Sequence, residues 1–187
     1  MAKINVLDRQ VAELIAAGEV VERPASIVKE LVENAVDAGA TKITVEIQGG
    51  GVRYIRVTDN GSGILREDVK NAFLRHATSK VRVQEDLGHI TTMGFRGEAL
   101  ASIAAMCRVE VLTRTADEVA GTRYTIAGGE PGELADAGCP VGTTISVRDV
   151  FYNTPARMKF LKKDLSEGNS VAAVVEKEAL ANPQISF

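Results

Sequence analysis

Lys29-Glu30-Leu31-Val32-Glu33-Asn34-Ala35-Val36-Asp37-Ala38-Gly39 reads as a helix with two opposed faces that stops on a glycine. With Glu30 at the origin of a helical wheel and roughly 100° per residue, Glu30, Glu33, Asn34 and Asp37 fall within about 100° of one another. Val28, Leu31, Val32, Ala35 and Val36 occupy the opposite side. Pro24 suits a first helical turn, so the helix is predicted from Pro24 to about Ala38, with Gly39 as its C-terminal stop. The plain reading is a surface helix with its wet side outward. Two details pull against it. Three acids share one stripe with no Lys or Arg four residues on, and Asn34 is a poor residue for a helix middle unless its amide has work elsewhere.

After this helix, Thr41 to Gln48 alternates Ile43, Val45 and Ile47 with polar residues, and Val52 to Thr58 is rich in β-branched side chains. Gly49-Gly50-Gly51 between them predicts a tight hairpin. The second strand ends in Asp59-Asn60-Gly61-Ser62-Gly63, a strong turn signal. A helix is expected over Arg66 to Arg75, then a long aperiodic stretch from His76 to about Gly97, of a length that more often serves function than connection. Glu98 to Met106 reads as a helix, and strands alternate with turns from Arg108 to Val150. Upstream, Val11 to Ala17 is helix-compatible and Gly18 is expected to break it. Helices that come early and strands that are mostly antiparallel neighbours predict an α+β two-layer sandwich, a mixed and mostly antiparallel sheet with helices on one face.

Composition narrows the function classes. The 187 residues are 45% apolar and 25% charged, with a net charge of −3, no tryptophan and two histidines. This is the balance of a globular domain without the basic excess of a dedicated nucleic-acid binder. No apolar run reaches the length of a membrane helix, and a cytoplasmic location is expected. Cys107 and Cys139 are expected to be free, buried thiols, and His76 and His89 are too few for a zinc site or a histidine-based triad.

The residues that carry chemistry lie at three places. Asn34 and Glu30 are one helical turn apart, so an amide oxygen suited to Mg²⁺ and a carboxylate able to activate water reach one spot from one rigid element. Asp59, at a strand end, could accept from an adenine amino group, with Gly61 and Gly63 letting backbone approach the base; an Asx turn is the plainer reading. Gly94-Phe95-Arg96-Gly97-Glu98-Ala99-Leu100 places glycines before a helix, where free N–H groups could meet a phosphate chain. A P-loop is ruled out, since GxxxxGK[ST] occurs nowhere in the chain.

Together these segments resemble the GHKL (Bergerat) ATPases, the superfamily of type II topoisomerases, a heat-shock chaperone, histidine kinases and the MutL mismatch-repair family. The closer resemblance is to the N-terminal ATPase domain of the MutL family. It rests on Ala16 to Ser26, Lys29 to Gly39, Asp59 to Gly63, Thr78 to Lys80, Gly94 to Leu100, Gly142-Thr143-Thr144 and Phe151-Tyr152-Asn153-Thr154-Pro155-Ala156-Arg157, in the family's order.

The resemblance implies ATP and Mg²⁺ as cofactors, Glu30 as general base, Asn34 as the magnesium ligand and Asp59 as the adenine reader, with Gly63 beside the base and Thr143 supporting it. It implies that Thr78, Ser79 and Lys80, with Gly94, Arg96, Gly97, Glu98, Ala99 and Leu100, line the nucleotide, in part as a lid over about residues 76–97. It further implies one ATPase domain over 1–187, and a switch in which ATP-dependent self-association of the N-terminal region couples mismatch recognition by MutS to later repair factors. A transducer domain and a C-terminal dimerisation domain would follow. Hydrolysis is expected to be slow in this chain, because the family's γ-phosphate lysine comes from the next domain. DNA contact is expected to be weak; Arg148, Arg157, Lys159, Lys162 and Lys163 form the one locally basic stretch, which reads equally as a solvated face. The alternatives are another GHKL ATPase, or a non-catalytic interaction module whose nucleotide site is idle. The intact set of Glu30, Asn34 and Asp59 argues against the second.

Overall fold

The computed structural model describes residues 8–75, 77 and 97–187. Among these residues six strands form one sheet: β1 (Ile43–Gln48), β2 (Tyr54–Asp59), β3 (Arg108–Arg114), β4 (Gly121–Ala127), β5 (Glu130–Ala137) and β6 (Gly142–Arg148). Their order is β1-β2-β6-β3-β4-β5, and every strand pair is antiparallel. A lone parallel bridge, Lys42 with Ser186, adds the end of the chain to the β1 edge.

Helices α1 (Arg9–Val20), α2 (Pro24–Asp37), α3 (Ala99–Met106), α4 (Pro155–Met158) and α5 (Asp164–Ala181) complete the described elements. The core lies between α2, α3 and one sheet face. Val28, Leu31 and Val32 of α2 and Ile103 of α3 meet Ile55, Val57, Val109, Val111, Ile145 and Val147, all buried. These strand residues recur at every second position, as a sheet covered on one side requires. The uncovered face is polar, crossed by Arg123 to Glu110 and Glu133, and by Arg148 over the Tyr54 ring at 4.5 Å. The expected α+β sandwich with helices on one face is what the chain forms.

Four local expectations need correction. Gly18 does not break α1, which runs through it to Val20; the guanidinium of Arg157 occupies the place where a Cβ would stand. The triple glycine is not a minimal hairpin turn. It forms a 3₁₀ turn with left-handed residues throughout, φ 58°, 64° and 89°, because α5 descends on it; a Cβ on Gly50 would stand 2.6 Å from the Asp164 carbonyl oxygen. Arg66 to Arg75 holds turns and one 3₁₀ segment at Asn71–Phe73 instead of a helix. The Arg66 N–H is taken by the Glu118 carboxylate at 3.0 Å, while Val69 and Phe73 are drawn into the core. Finally, Cys107 is buried but Cys139 only half-buried, and both are free thiols. Burial pushes the Cys107 thiol up to about 12, so it is inert at neutral pH.

Candidate functional site

The site grows from the way β2 ends. Asp59 pairs in register with Ile43 on one side and Thr143 of β6 on the other. Its Oδ1 accepts the Gly61 N–H at 2.8 Å, the expected Asx turn, and also the Thr143 N–H at 3.3 Å. Burial raises the Asp59 pKa above the ordinary aspartate value, and these two donors oppose the rise. Thr143 is itself buried, with its hydroxyl 3.0 Å from that of Thr113.

Glycines let the loop close over this carboxylate. At Gly61 a Cβ would stand 2.7 Å from the Ala38 carbonyl oxygen, and that oxygen accepts the Ser62 N–H at 2.9 Å. Gly63 has φ 74°, and a Cβ there would overlap the Arg114 carbonyl. Asn60 accepts from the N–H groups of Thr41 and Lys42, both at 2.9 Å, which ties the loop to the start of β1. The loop is thus fastened to the C-terminal end of α2. Asn34 and Glu30 lie about one and two turns back from that end, on α2, and both are half-buried.

Glu33 departs from the expected acidic stripe. It is 6% exposed and accepts from Lys29 at 2.6 Å, and Lys29 also senses Glu178 on α5. The partner that relieves it stands four residues before it, so its carboxylate serves the α2–α5 interface. Burial, then the neighbouring Glu33, raises the pKa of Glu178.

At the third place, Gly97 adopts φ 62° and abuts Ala77, where a Cβ would stand 2.5 Å from the carbonyl oxygen. The two ends of the expected lid therefore meet. Glu98 follows as N-cap, without a side-chain capping bond, and Ala99 and Leu100 open α3. Thr78, Ser79, Lys80, Gly94 and Arg96 lie outside the described residues, as do His76 and His89.

One participant escaped the sequence reading. Thr113 is fully buried; its Oγ1 accepts the Ile64 N–H at 2.9 Å and donates to the Gly142 carbonyl at 3.1 Å, bracing the loop and Thr143 together. Its signal was a hydroxyl at an inward position after Val109 and Val111. Of the basic stretch, Arg157 turns inward to the Gly18 carbonyl and Arg148 stacks on Tyr54, leaving Lys159, Lys162 and Lys163 exposed.

Among the described residues no three His, Cys, Asp or Glu side chains converge as a metal cluster. A single amide such as Asn34 fits an ion that takes most of its ligands from phosphate and water, as Mg²⁺ does. Two clefts of about 520 and 500 Å³ open elsewhere, around Arg114 and Cys139 and around Arg66 and Glu118; neither is lined by Glu30, Asn34, Asp59 or Thr143. The candidate site is therefore defined by its donors and acceptors. No described helix is long and apolar enough to cross a membrane.

Comparison with known proteins gives the context. A family model described as histidine kinase-, DNA gyrase B- and HSP90-like ATPase matches residues 22–127. The DNA mismatch repair protein MutL of Agathobacter rectalis is 56% identical over all 187 residues, which cover 29% of that protein. That of Acidobacterium capsulatum is 57% identical over the same span, 28% of its length. The solved Aquifex aeolicus MutL ATPase domain complexed with ADP matches with a TM-score of 0.74 at 37% identity, over 89% of this chain and 58% of that one. A solved N-terminal domain of a DNA repair protein matches with a TM-score of 0.78 at 29% identity, over 93% and 50%. The chain thus spans less than a third of the curated relatives it matches.

Proposed function

The chain belongs to the family of histidine kinase-, DNA gyrase B- and HSP90-like ATPases, and from that premise we propose that it is the ATP-binding, slowly hydrolysing domain of a MutL-type mismatch-repair protein. The observation that carries the reading is the union of Asp59 and Thr143 on adjacent strands, beside a loop fastened to the end of the helix that bears Asn34 and Glu30.

Asp59 reads the base. Both of its backbone donors fall on Oδ1, so Oδ2 is the acceptor for the adenine amino group, and a base with a carbonyl at that place would face an acceptor with an acceptor. Gly61 and Gly63 keep side chains out of the path of the flat ring. The start of α3, after Gly97 and Glu98, offers backbone N–H groups to the phosphate chain. Thr78, Ser79, Lys80, Gly94 and Arg96 would complete the lining.

The Glu30 carboxylate orients the attacking water and takes its proton during in-line displacement at the γ-phosphorus. The Asn34 amide oxygen is the protein ligand for Mg²⁺, which supplies charge neutralisation on the phosphates when bound. Helix α2 holds the two side chains in fixed relation, one turn apart, so neither needs to be ordered anew by substrate.

For the longer protein, the proposal extends to nucleotide-dependent self-association, coupling to a MutS-type mismatch-recognition protein and weak contact with DNA. Its support is identity of 53–57% to proteins named DNA mismatch repair protein MutL. The deciding experiment is a calorimetric titration with a non-hydrolysable ATP analogue, with and without Mg²⁺. Saturable binding that magnesium strengthens is expected. No binding in either condition would make the site an idle one and favour the interaction-module reading.

A further inference from the structure

The segment 151–157 grips two helices at once. Phe151 is fully buried with φ 66° and Asp149 has φ 53°, both left-handed values that side-chain-bearing residues avoid. The backbone strain turns the chain off the end of β6 and under the helices, and it is held there by burial of the Phe151 ring.

From that position the segment satisfies carbonyls that a helix end leaves open. The Phe151 N–H donates to the Met106 carbonyl at 3.0 Å, and Asn153 Nδ2 donates to the Ala105 carbonyl at 2.7 Å, both in the last turn of α3. Four residues on, Arg157 Nη1 donates to the Gly18 carbonyl in the last turn of α1 at 2.9 Å. The guanidinium occupies the place where a Cβ at position 18 would stand, so it lies there only because residue 18 is glycine. A cation at a helix C-terminus also meets the negative end of the helix dipole. Helix α1 packs directly against α3, so one short segment fixes the C-terminal ends of two neighbouring helices.

We propose that Asn153 and Arg157 are positioning residues that fasten α1 to α3, so that α1 is ordered when phosphates engage the opposite, N-terminal end of α3. The proposal rests on the nucleotide reading given above. Phosphate capture at the α3 start restrains that helix; the clamp at its far end transmits the restraint to α1, which buries Ala17 near its C-terminal end but exposes Val11 and Ile15.

The test is amide hydrogen exchange over residues 9–20 of the 187-residue chain, with and without a non-hydrolysable ATP analogue, using α5 and β6 amides as folding controls. In the parent chain nucleotide is expected to slow α1 exchange about tenfold. Arg157→Ala should bind the analogue within about threefold of the parent affinity and lose the slowing. Gly18→Ala, which keeps the arginine but displaces its guanidinium, should do the same, and Arg157→Lys should recover most of the effect by restoring one donor. A purely architectural role would change α1 exchange equally with and without nucleotide. The coupling is overturned if α1 slows as much in Arg157→Ala and Gly18→Ala as in the parent, or if a parent chain that binds the analogue shows no slowing in α1. A parent chain that binds no analogue overturns the nucleotide reading, and the coupling with it.

Discussion

The Asp59 carboxylate and the Thr143 backbone N–H stand 3.3 Å apart as register partners on neighbouring strands, although 84 residues separate them along the chain. This pairing fixes the carboxylate at a strand end instead of leaving it to a mobile loop, with both backbone donors on Oδ1. Asp59→Asn keeps an acceptor for both backbone donors but presents an amide N–H₂ to the base. Affinity for an adenine nucleotide is expected to fall about a hundredfold, while binding of the variant's backbone donors, and hence its fold, is retained. Calorimetry with ADP and a thermal melt measure the two effects; unchanged affinity would remove Asp59 from the base-reading role.

The same residue sets a pH dependence. Its folded pKa lies above the unfolded value because burial disfavours the anion. The folded state therefore binds the proton more tightly, and stability present below the unfolded aspartate pKa is lost as pH rises through the folded one. Without nucleotide, Asp59→Asn should melt higher than the parent at neutral pH, and the gap should close as pH falls through the carboxylate range. A gap that widens on acidification would contradict the assignment.

Catalysis and binding should separate on α2. Glu30→Ala is expected to lower ATP turnover about a thousandfold with nucleotide affinity within about threefold of the parent. Asn34→Ala should abolish the magnesium enhancement of binding while leaving the magnesium-free affinity in place. Phosphate-release assays and paired titrations read these outcomes; normal turnover in the Glu30 variant would send the search for a base elsewhere.

Gly63→Ala tests the close approach of the loop to β3. The left-handed backbone and the overlap with the Arg114 carbonyl together should cost about 2–3 kcal/mol. Urea denaturation should show a midpoint lowered accordingly, and nucleotide binding should weaken with it. A midpoint within error of the parent would mean that the loop does not need glycine at position 63.

Glu167 is fully buried on α5; its Oε1 accepts the Lys162 N–H at 2.8 Å and lies 4.0 Å from Arg23. Glu167→Ala strands that backbone donor and opens a cavity, so a loss of about 2–3 kcal/mol is expected. Glu167→Gln should recover part of it through the same acceptor. If both variants unfold at the parent's denaturant concentration, the carboxylate contributes nothing to the α4–α5 connection.

Much of this was legible in local pattern. Period 3.6 in Val28 to Val36, the glycine at 39 and the alternation in Ile43 to Ile47 are properties of short windows, and they placed α2, β1 and β2 within a few residues. The Asp59 turn was equally local. What could not be read depends on contacts from far along the chain. Gly18 looks like a breaker until Arg157 arrives from 139 residues away to occupy its missing Cβ. Glu33 looks like part of the wet stripe until α5 covers it. Arg66 to Arg75 carries a helical pattern, but Glu118 takes the first N–H and the core takes Val69 and Phe73. Thr113 was invisible for a related reason: a buried hydroxyl is informative only once its three partners are known.

The position of β6 between β2 and β3 bears on how the molecule comes into being. During synthesis at about 5–20 residues per second, β1 with β2, and later β3 with β4 and β5, can each pair as soon as they emerge. Among the described residues no strand of one half pairs with a strand of the other, and residues 142–148 pair with both, which makes their insertion the slow, high-contact-order step. Because Asp59 and Thr143 sit on opposite sides of the seam it closes, a chain stalled before this step could hold most of its secondary structure and yet have no place for a base. Nucleotide binding would then report completion of folding, and a nascent chain would gain affinity for ATP abruptly, when its last strand is threaded.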